Sequence, residues 1–223
     1  MRLAPMGDTG LKIEFGSGAE SASISEALAM AESLAGDPPP GLVEVVPAFG
    51  TVTLYYDPVK VSDFDAWLAR IEQRARKPGK HSRKNVREVV IPVCYAPEHA
   101  PDLDRVAAQA GLAPGKVAEL HGRADYHVAA VGFTPGFPYL TGLPKKLHTP
   151  RRATPRLAVP AGSVGIGGPF AGIYPLASPG GWNLIGRTPL DLFRANDAAP
   201  ALLRVGDRVK FRAISPEEFA AWK

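Results

Sequence analysis

Apolar and polar residues alternate one by one over residues 11–15, LKIEF, a period of two that predicts a strand. The spacing then lengthens. Ile24, Leu28, Ala31 and Leu34 fall on one helical face, which a Ser23/Glu26 capping-box pair opens and Gly36 stops. LVEVVPAF (42–49) and TVTLYY (51–56) read as strands parted by Gly50. Residues 62–76 read as a second amphipathic helix, with Phe64, Trp67, Leu68 and Ile71 on its apolar side. The order β-α-β-β-α over residues 1–76 predicts a small ferredoxin-like α/β domain.

The pattern changes in the second half of the chain. REVVIPVCY (87–95) predicts a strand, and residues 101–122 predict one or two short helices carrying Leu103, Val106, Ala110, Val117 and Leu120 inward. From Tyr126 onward short strands alternate with turn residues: YHVAAVGF, AVPAGSVGIG, GIYPL, WNLIG and RVKFRAI. Many short strands with few helices predict a closed or nearly closed barrel over residues 88–223. The fold class expected is therefore α+β.

Composition supports the turn-rich reading. There are 23 glycines and 23 prolines in 223 residues, about one in five, set between apolar runs. The net charge of +4 changes the picture less than it first promises. Residues 74–87, RARKPGKHSRKNVR, hold seven basic residues and no acid, so the rest of the chain carries −3. A nucleic-acid surface mixes aromatics into its basic charge, and this run has none. It reads as a solvated linker, residues 77–87, between two domains. A single cysteine, Cys94, excludes an internal disulfide, and no Cys/His cluster has zinc spacing, so no metal is expected. Without a signal-peptide pattern or an apolar run of eighteen, a cytoplasmic, non-membrane protein is expected.

Four stretches bear on chemistry. VGFTPGFPYLTGLP (131–144) is uncharged, with six Gly or Pro and three aromatics, and reads as a rigid, loop-like apolar segment. AGSVGIGG (161–168) has neither dinucleotide nor P-loop spacing and leads into Pro169, so it reads as a glycine-rich strand. Ser163 within it lacks the spacing of a nucleophile elbow. PRRATPR (150–156) holds Arg151, Arg152 and Arg156 on a stiff, proline-flanked backbone, suited to planar capture of a carboxylate or phosphate. SPGGWNLIGRT (178–188) repeats the style with Trp182 and Arg187. Aromatics, rigid turns and isolated arginines describe the wall of a small anion or peptide cleft.

GFTPGFPYLTGLP, PRRATPRLAVPAGSVGIGG, IYPLASPGGWNLIGRTPLDLF and GDRVKF, in that order, resemble the family of 5-oxoprolinase B subunits, also called KipI and allophanate hydrolase subunit 1. The resemblance is strong over residues 126–211 and weaker over GDTGLKIEFG and VPAFGTVTLYYDP. It implies a cyclophilin-like barrel after the α/β domain. It also implies a subunit that is inert alone and works with A and C subunits to hydrolyse 5-oxoproline to L-glutamate at the expense of ATP. No motif in the chain supplies the ATP site. Alternatives the family names carry are a module that docks on a sensor histidine kinase, and a subunit acting on another amide such as allophanate or a urea derivative. On this reading Phe137 and Tyr139 would form an apolar wall, Arg152 and Arg156 would grip a carboxylate or phosphoryl oxygen, and His127, Ser163, Trp182 and Arg187 would be neighbours. One departure stands out. The family pattern carries Gln-Thr where this chain has Phe170 and Ala171, which would replace two hydrogen-bonding side chains by apolar ones.

Overall fold

The alternation near residue 11 does make a strand, β2 (Gly10–Glu14), but it is not the first one. The N-terminal residues form β1 (Arg2–Met6), paired antiparallel with β2 across a turn in which Gly7 takes φ +64°. After α1 (Ser21–Gly36) come β3 (Leu42–Ala48), β4 (Thr51–Tyr56) and α2 (Phe64–Arg76). The computed structural model describes residues 1–16, 21–77 and 86–222, and divides into two units, Met1–Val86 and Arg87–Lys223.

In the first unit the sheet order is β1-β2-β4-β3. β1 thus fills the edge that a last strand would take in a β-α-β-β-α-β fold. Both edge strands carry a proline, Pro5 and Pro47, where a missing N–H does least harm to the ladder. Leu11, Ile13, Val52 and Leu54 turn one face of the sheet toward Ala27, Met30 and Leu34 of α1 and Trp67 and Ile71 of α2. α1 begins at Ser21, so Ser23 is a buried residue inside the helix and not its cap. The cap of α2 is Asp63, whose carboxylate accepts the Ala66 N–H at 2.9 Å.

The second unit is built on a closed seven-stranded barrel. Its strands are β5 (Glu88–Cys94), β6 (Tyr126–Val131), β7 (Pro138–Thr141), β9 (Ser163–Gly167), β10 (Phe170–Ile173), β12 (Asn183–Arg187) and β13 (Arg208–Ile214). Around the barrel they run β10-β7-β6-β13-β5-β12-β9, with β5 and β13 parallel and the other neighbours antiparallel. β7 is a correction to the sequence reading. The proline-rich segment 131–144 is not all loop, because Pro138 sits at the first position of a strand, where proline is tolerated. A two-stranded ribbon, β8 (Arg156–Val159) with β11 (Ser178–Gly180), lies outside the barrel order. α3 (Leu103–Ala110) packs on β12 and α4 (Pro114–Arg123) on β13, and α5 (Pro216–Ala220) follows β13. The architecture is α+β.

Inward-facing Ile91, Val93, Val128, Leu140, Val164, Ile166, Ile173 and Val209 fill the barrel and meet Val106 of α3 and Val117 of α4. Alternation then fixes what points outward: on β9 the residues between Val164 and Ile166 and beyond are Gly165 and Gly167. Residues 78–85 of the basic run lie outside the described residues. Its ends are folded: Arg74 binds Asp37 from the last turn of α2, and Arg87 donates from Nε to the buried Asp207 at 3.0 Å. Among the described residues no helix is long and apolar enough to cross a membrane, and no group of three His, Cys, Asp or Glu could hold a metal ion.

Candidate functional site

The glycines of β9 and β10 leave the outer wall of the barrel without side chains, and aromatic rings occupy the space. A Cβ on Gly167 would stand 2.6 Å from the Trp182 ring, and one on Gly172 would stand 2.8 Å from the Phe137 ring. On the ribbon, a Cβ on Gly180 would meet the Tyr174 ring at 2.7 Å. Phe137, Tyr174 and Trp182, with Val159 and Leu184, form a small buried cluster separate from the barrel core, and Tyr139 and Phe170 pack on its margin. The rings meet edge to face: Phe137 lies 5.1 Å from Tyr174, 5.5 Å from Trp182 and 5.0 Å from Tyr139. Such pairings add to the burial of area alone.

Phe133 extends this cluster into solvent. Its ring is 5.5 Å from Phe137 and 6.4 Å from Tyr174, it is 63% exposed, and its backbone holds φ +71°. A bulky residue in the left-handed region is strained, and such strain concentrates at functional sites.

The arginines of residues 150–156 meet an acid from another part of the chain. Asp102, 2% exposed, lies just before α3. Its Oδ1 accepts from Arg152 Nη1 at 2.7 Å and Arg156 Nη2 at 2.9 Å, and its Oδ2 accepts from Arg156 Nη1 at 2.8 Å and the Leu184 N–H at 2.7 Å. Burial pulls the Asp102 pKa up, but the hydrogen bonds from Arg156 and Leu184 and the charges of both arginines outweigh it, and the carboxyl stays below its ordinary value. Leu184 belongs to the aromatic cluster, so the ion cluster and the rings share an edge. Tyr174 shows the same proximity. Burial raises its pKa, against a hydrogen bond with the Trp182 backbone and the charges of Arg151 and Arg156. Two further bonds hold the arginine segment to the wall: Arg152 N–H donates to Gly181 O at 2.7 Å, and Asn183 Nδ2 to Pro150 O at 3.0 Å.

Of the residues singled out in the sequence, Phe137, Tyr139, Trp182, Arg152 and Arg156 come together here. Phe137 is 1% exposed, so it supports the wall from behind, and half-buried Tyr139 shows at its margin. Ser163 and Arg187 pair with each other across β9 and β12, at the end of β9 opposite Gly167. Arg187 donates from Nε to Ala161 O at 2.9 Å and lies over the Phe219 ring. His127 is exposed on β6, where its charge acts on Asp125 beside Arg208 and Lys210. Asp102 and Tyr174 escaped the sequence reading, and Phe133, one of the three aromatics of residues 131–144, was not among the wall residues it expected. Asp102 precedes an apolar-periodic run and looks like an ordinary helix cap, yet its side chain makes no capping bond.

The structure also bears on nucleotide binding by the glycine-rich stretch 161–168. Gly165 and Gly167 face Trp182 and Tyr174, and no helix N-terminus follows them, so this stretch is no phosphate cradle.

A family model described as "Carboxyltransferase domain, subdomain C and D" matches residues 1–203. The B subunit of 5-oxoprolinase from Bacillus subtilis (strain 168) is 40% identical over an alignment covering 100% of this chain and 96% of the relative. The chain belongs to the family of 5-oxoprolinase B subunits. Among solved structures, TTHA0988 superposes with a TM-score of 0.80 at 40% identity, over 92% of this chain; the match spans 40% of the TTHA0988 chain. The Kluyveromyces lactis urea carboxylase has the same fold, with a TM-score of 0.78 at 20% identity over 98% of this chain and 22% of that one. Phe170 and Ala171, set apart in the sequence, face opposite ways. Ala171 is fully buried in the barrel core opposite Leu140, and only Phe170 reaches the aromatic cluster. A side chain at 171 therefore faces the barrel interior, not the outer wall.

Proposed function

We propose that this chain is the B component of an ATP-dependent 5-oxoprolinase, which opens the lactam of 5-oxoproline to L-glutamate together with A and C subunits. The observation that carries the reading is 40% identity, along the whole chain, to a 5-oxoprolinase component of this type. The site's chemistry fits a small, flat, anionic lactam: an aromatic wall for the ring and a cluster of two guanidinium groups sharing one carboxylate, with a net positive charge.

The site favours holding over bond-making. Both oxygens of Asp102 are already engaged by donors, which leaves it poorly placed as a general base, and Tyr174 keeps its proton at neutral pH. On this reading the partner subunits bring the ATP site and the reacting groups, and this chain orients the lactam and excludes water. A second reading, docking on a sensor histidine kinase, draws on the exposed apolar side chains of Phe133, Leu157 (93% exposed) and Leu176.

The test is glutamate release from 5-oxoproline and ATP by the co-purified complex, with each subunit omitted in turn. Activity that disappears when this chain is left out supports the proposal. A stable complex without turnover redirects the search to other amides, allophanate among them. Failure to associate with A and C subunits overturns the enzyme reading in favour of the docking module.

A further inference from the structure

Arg152 and Arg156 share one carboxylate but are not equivalent. Arg156 commits both terminal nitrogens to Asp102, one on each oxygen, in a two-pronged bond of 2.8 and 2.9 Å. Such a fork fixes the plane as well as the position of the guanidinium. Arg152 commits only Nη1, and its Nε is buried without a hydrogen-bond partner. A buried donor left unpaired is uncommon and costly, and asks what completes it. The two side chains are similarly exposed, 29% for Arg152 and 24% for Arg156, so the difference between them lies in their bonding, and the Arg152 backbone N–H is anchored to Gly181 beside Trp182. Asp102 is likewise committed to this geometry: it stands at the start of α3 yet makes no side-chain cap bond, and instead receives the arginines from fifty residues downstream.

We infer that Asp102 and Arg156 form a fixed pair that positions Arg152, and that Arg152 alone meets the carboxylate of the ligand. This rests on the proposed reading of the site as a 5-oxoproline site. Two guanidinium groups side by side repel each other, and the shared carboxylate removes that repulsion while leaving one positive charge in excess. The excess is carried by the less engaged partner. The Arg152 backbone is tied to Gly181, the neighbour of Trp182, and the Trp182 and Tyr139 rings meet at 5.9 Å, which offers the lactam ring an aromatic face near this segment.

The experiment compares Arg152→Ala and Arg156→Ala in the complex with A and C subunits. The substrate is 5-oxoproline, and 2-pyrrolidinone, the same lactam without the carboxylate, serves as competitor. For Arg152→Ala the expected result is a rise in KM for 5-oxoproline of about tenfold or more with kcat much less affected, because a grip on a non-reacting carboxylate is lost equally from ground and transition states. Inhibition by 2-pyrrolidinone should stay as in the wild type, and the melting temperature should fall less than in Arg156→Ala, because Asp102 keeps its two-pronged bond to Arg156 and the Leu184 N–H. Arg156→Ala should lower the melting temperature and weaken both ligands together. Where that variant does not assemble, Arg156→Lys replaces it, since an ammonium cannot reproduce the fork. Equal and selective loss of 5-oxoproline binding in both variants overturns the assignment, as does an Arg152→Ala complex that still prefers 5-oxoproline over 2-pyrrolidinone as the wild type does. A wild-type complex that binds 5-oxoproline without hydrolysing it overturns the catalytic reading alone, and calorimetric titration of the two ligands then decides between the arginines. A wild-type complex that binds neither ligand overturns both.

Discussion

Gly167 matters for the side chain it lacks: the space a Cβ would fill is taken by the indole of Trp182, 2.6 Å away. The glycine-rich pattern of residues 161–168 was legible as a strand, but its purpose was not. The purpose belongs to Trp182, fifteen residues later. Gly167→Ala forces a rigid ring off the wall, and overpacking of this kind costs about 1–3 kcal/mol. The expected outcome is a lower melting temperature together with altered tryptophan fluorescence as Trp182 shifts. An unchanged spectrum and stability would show that the ring does not depend on the bare backbone. Asp102 teaches the converse at the same scale. Its neighbours in sequence announce a helix cap, and nothing local announces two arginines at 152 and 156.

At the scale of elements, the turn that feeds β7 combines order with strain. Phe137 N–H donates to Thr134 O at 3.0 Å and Gly132 N–H to Phe137 O at 3.0 Å, closing the turn around Phe133 at φ +71°. A glycine at 133 removes strain of order 1 kcal/mol while adding flexibility to the unfolded chain, and the two effects oppose each other. Phe133→Gly should therefore leave the melting temperature within a few degrees of wild type, while turnover by the assembled complex, or its assembly, falls about tenfold. A variant with full activity would show that the exposed ring serves no ligand or partner. The sequence exposed the turn residues but hid the strand. Four residues of PYLT are too few for periodicity to separate strand from loop, and prolines argued the other way. β1 was hidden for a related reason. RLAPM has little alternation, and it is a strand because the edge of β2 offers unpaired backbone groups.

For the molecule as a whole, acid stability should be set in part by a histidine that no site uses. His121 is fully buried in the second unit, stacked on Phe211 at 4.4 Å, with Nδ1 2.7 Å from the Tyr95 hydroxyl. Burial pushes its pKa down to about 3. Unfolded, the same imidazole takes a proton near its ordinary pKa of ~6.5. Between those values the unfolded chain binds more protons, so stability falls as the pH drops, by about 1.4 kcal/mol per unit once well below 6.5. The effect is absent above that pKa and levels off below 3. Denaturant unfolding at pH 7 and pH 4.5 should differ by roughly 2–3 kcal/mol from this source, and a His121→Gln variant should show a flatter dependence. Equal slopes for the two proteins would rule His121 out. Asp102 acts in a lower window: its carboxylate stabilises the fold above its unfolded pKa of 3.8, and that stability is lost only as the pH falls through its lowered folded value.

Periodicity and turn chemistry by themselves determined that this chain is α+β, that its first part pairs helices with a small sheet, and that its second part is a turn-rich barrel. They could do so because burial of one face imposes a period of two or of 3.6 on neighbouring residues. The sequence also supplied the aromatics and arginines of the outer wall, since stiff proline-flanked segments stand out without any structure. Only the tertiary structure decided how these residues are used. It placed Asp102 under both arginines, set Ala171 inside the barrel and Phe170 outside it, and sent His127 and Arg187 to other surroundings. Those outcomes depend on which strands become neighbours when the barrel closes, and closure brings together residues far apart in sequence, fifty or more for Asp102 and its arginines, that share no local pattern.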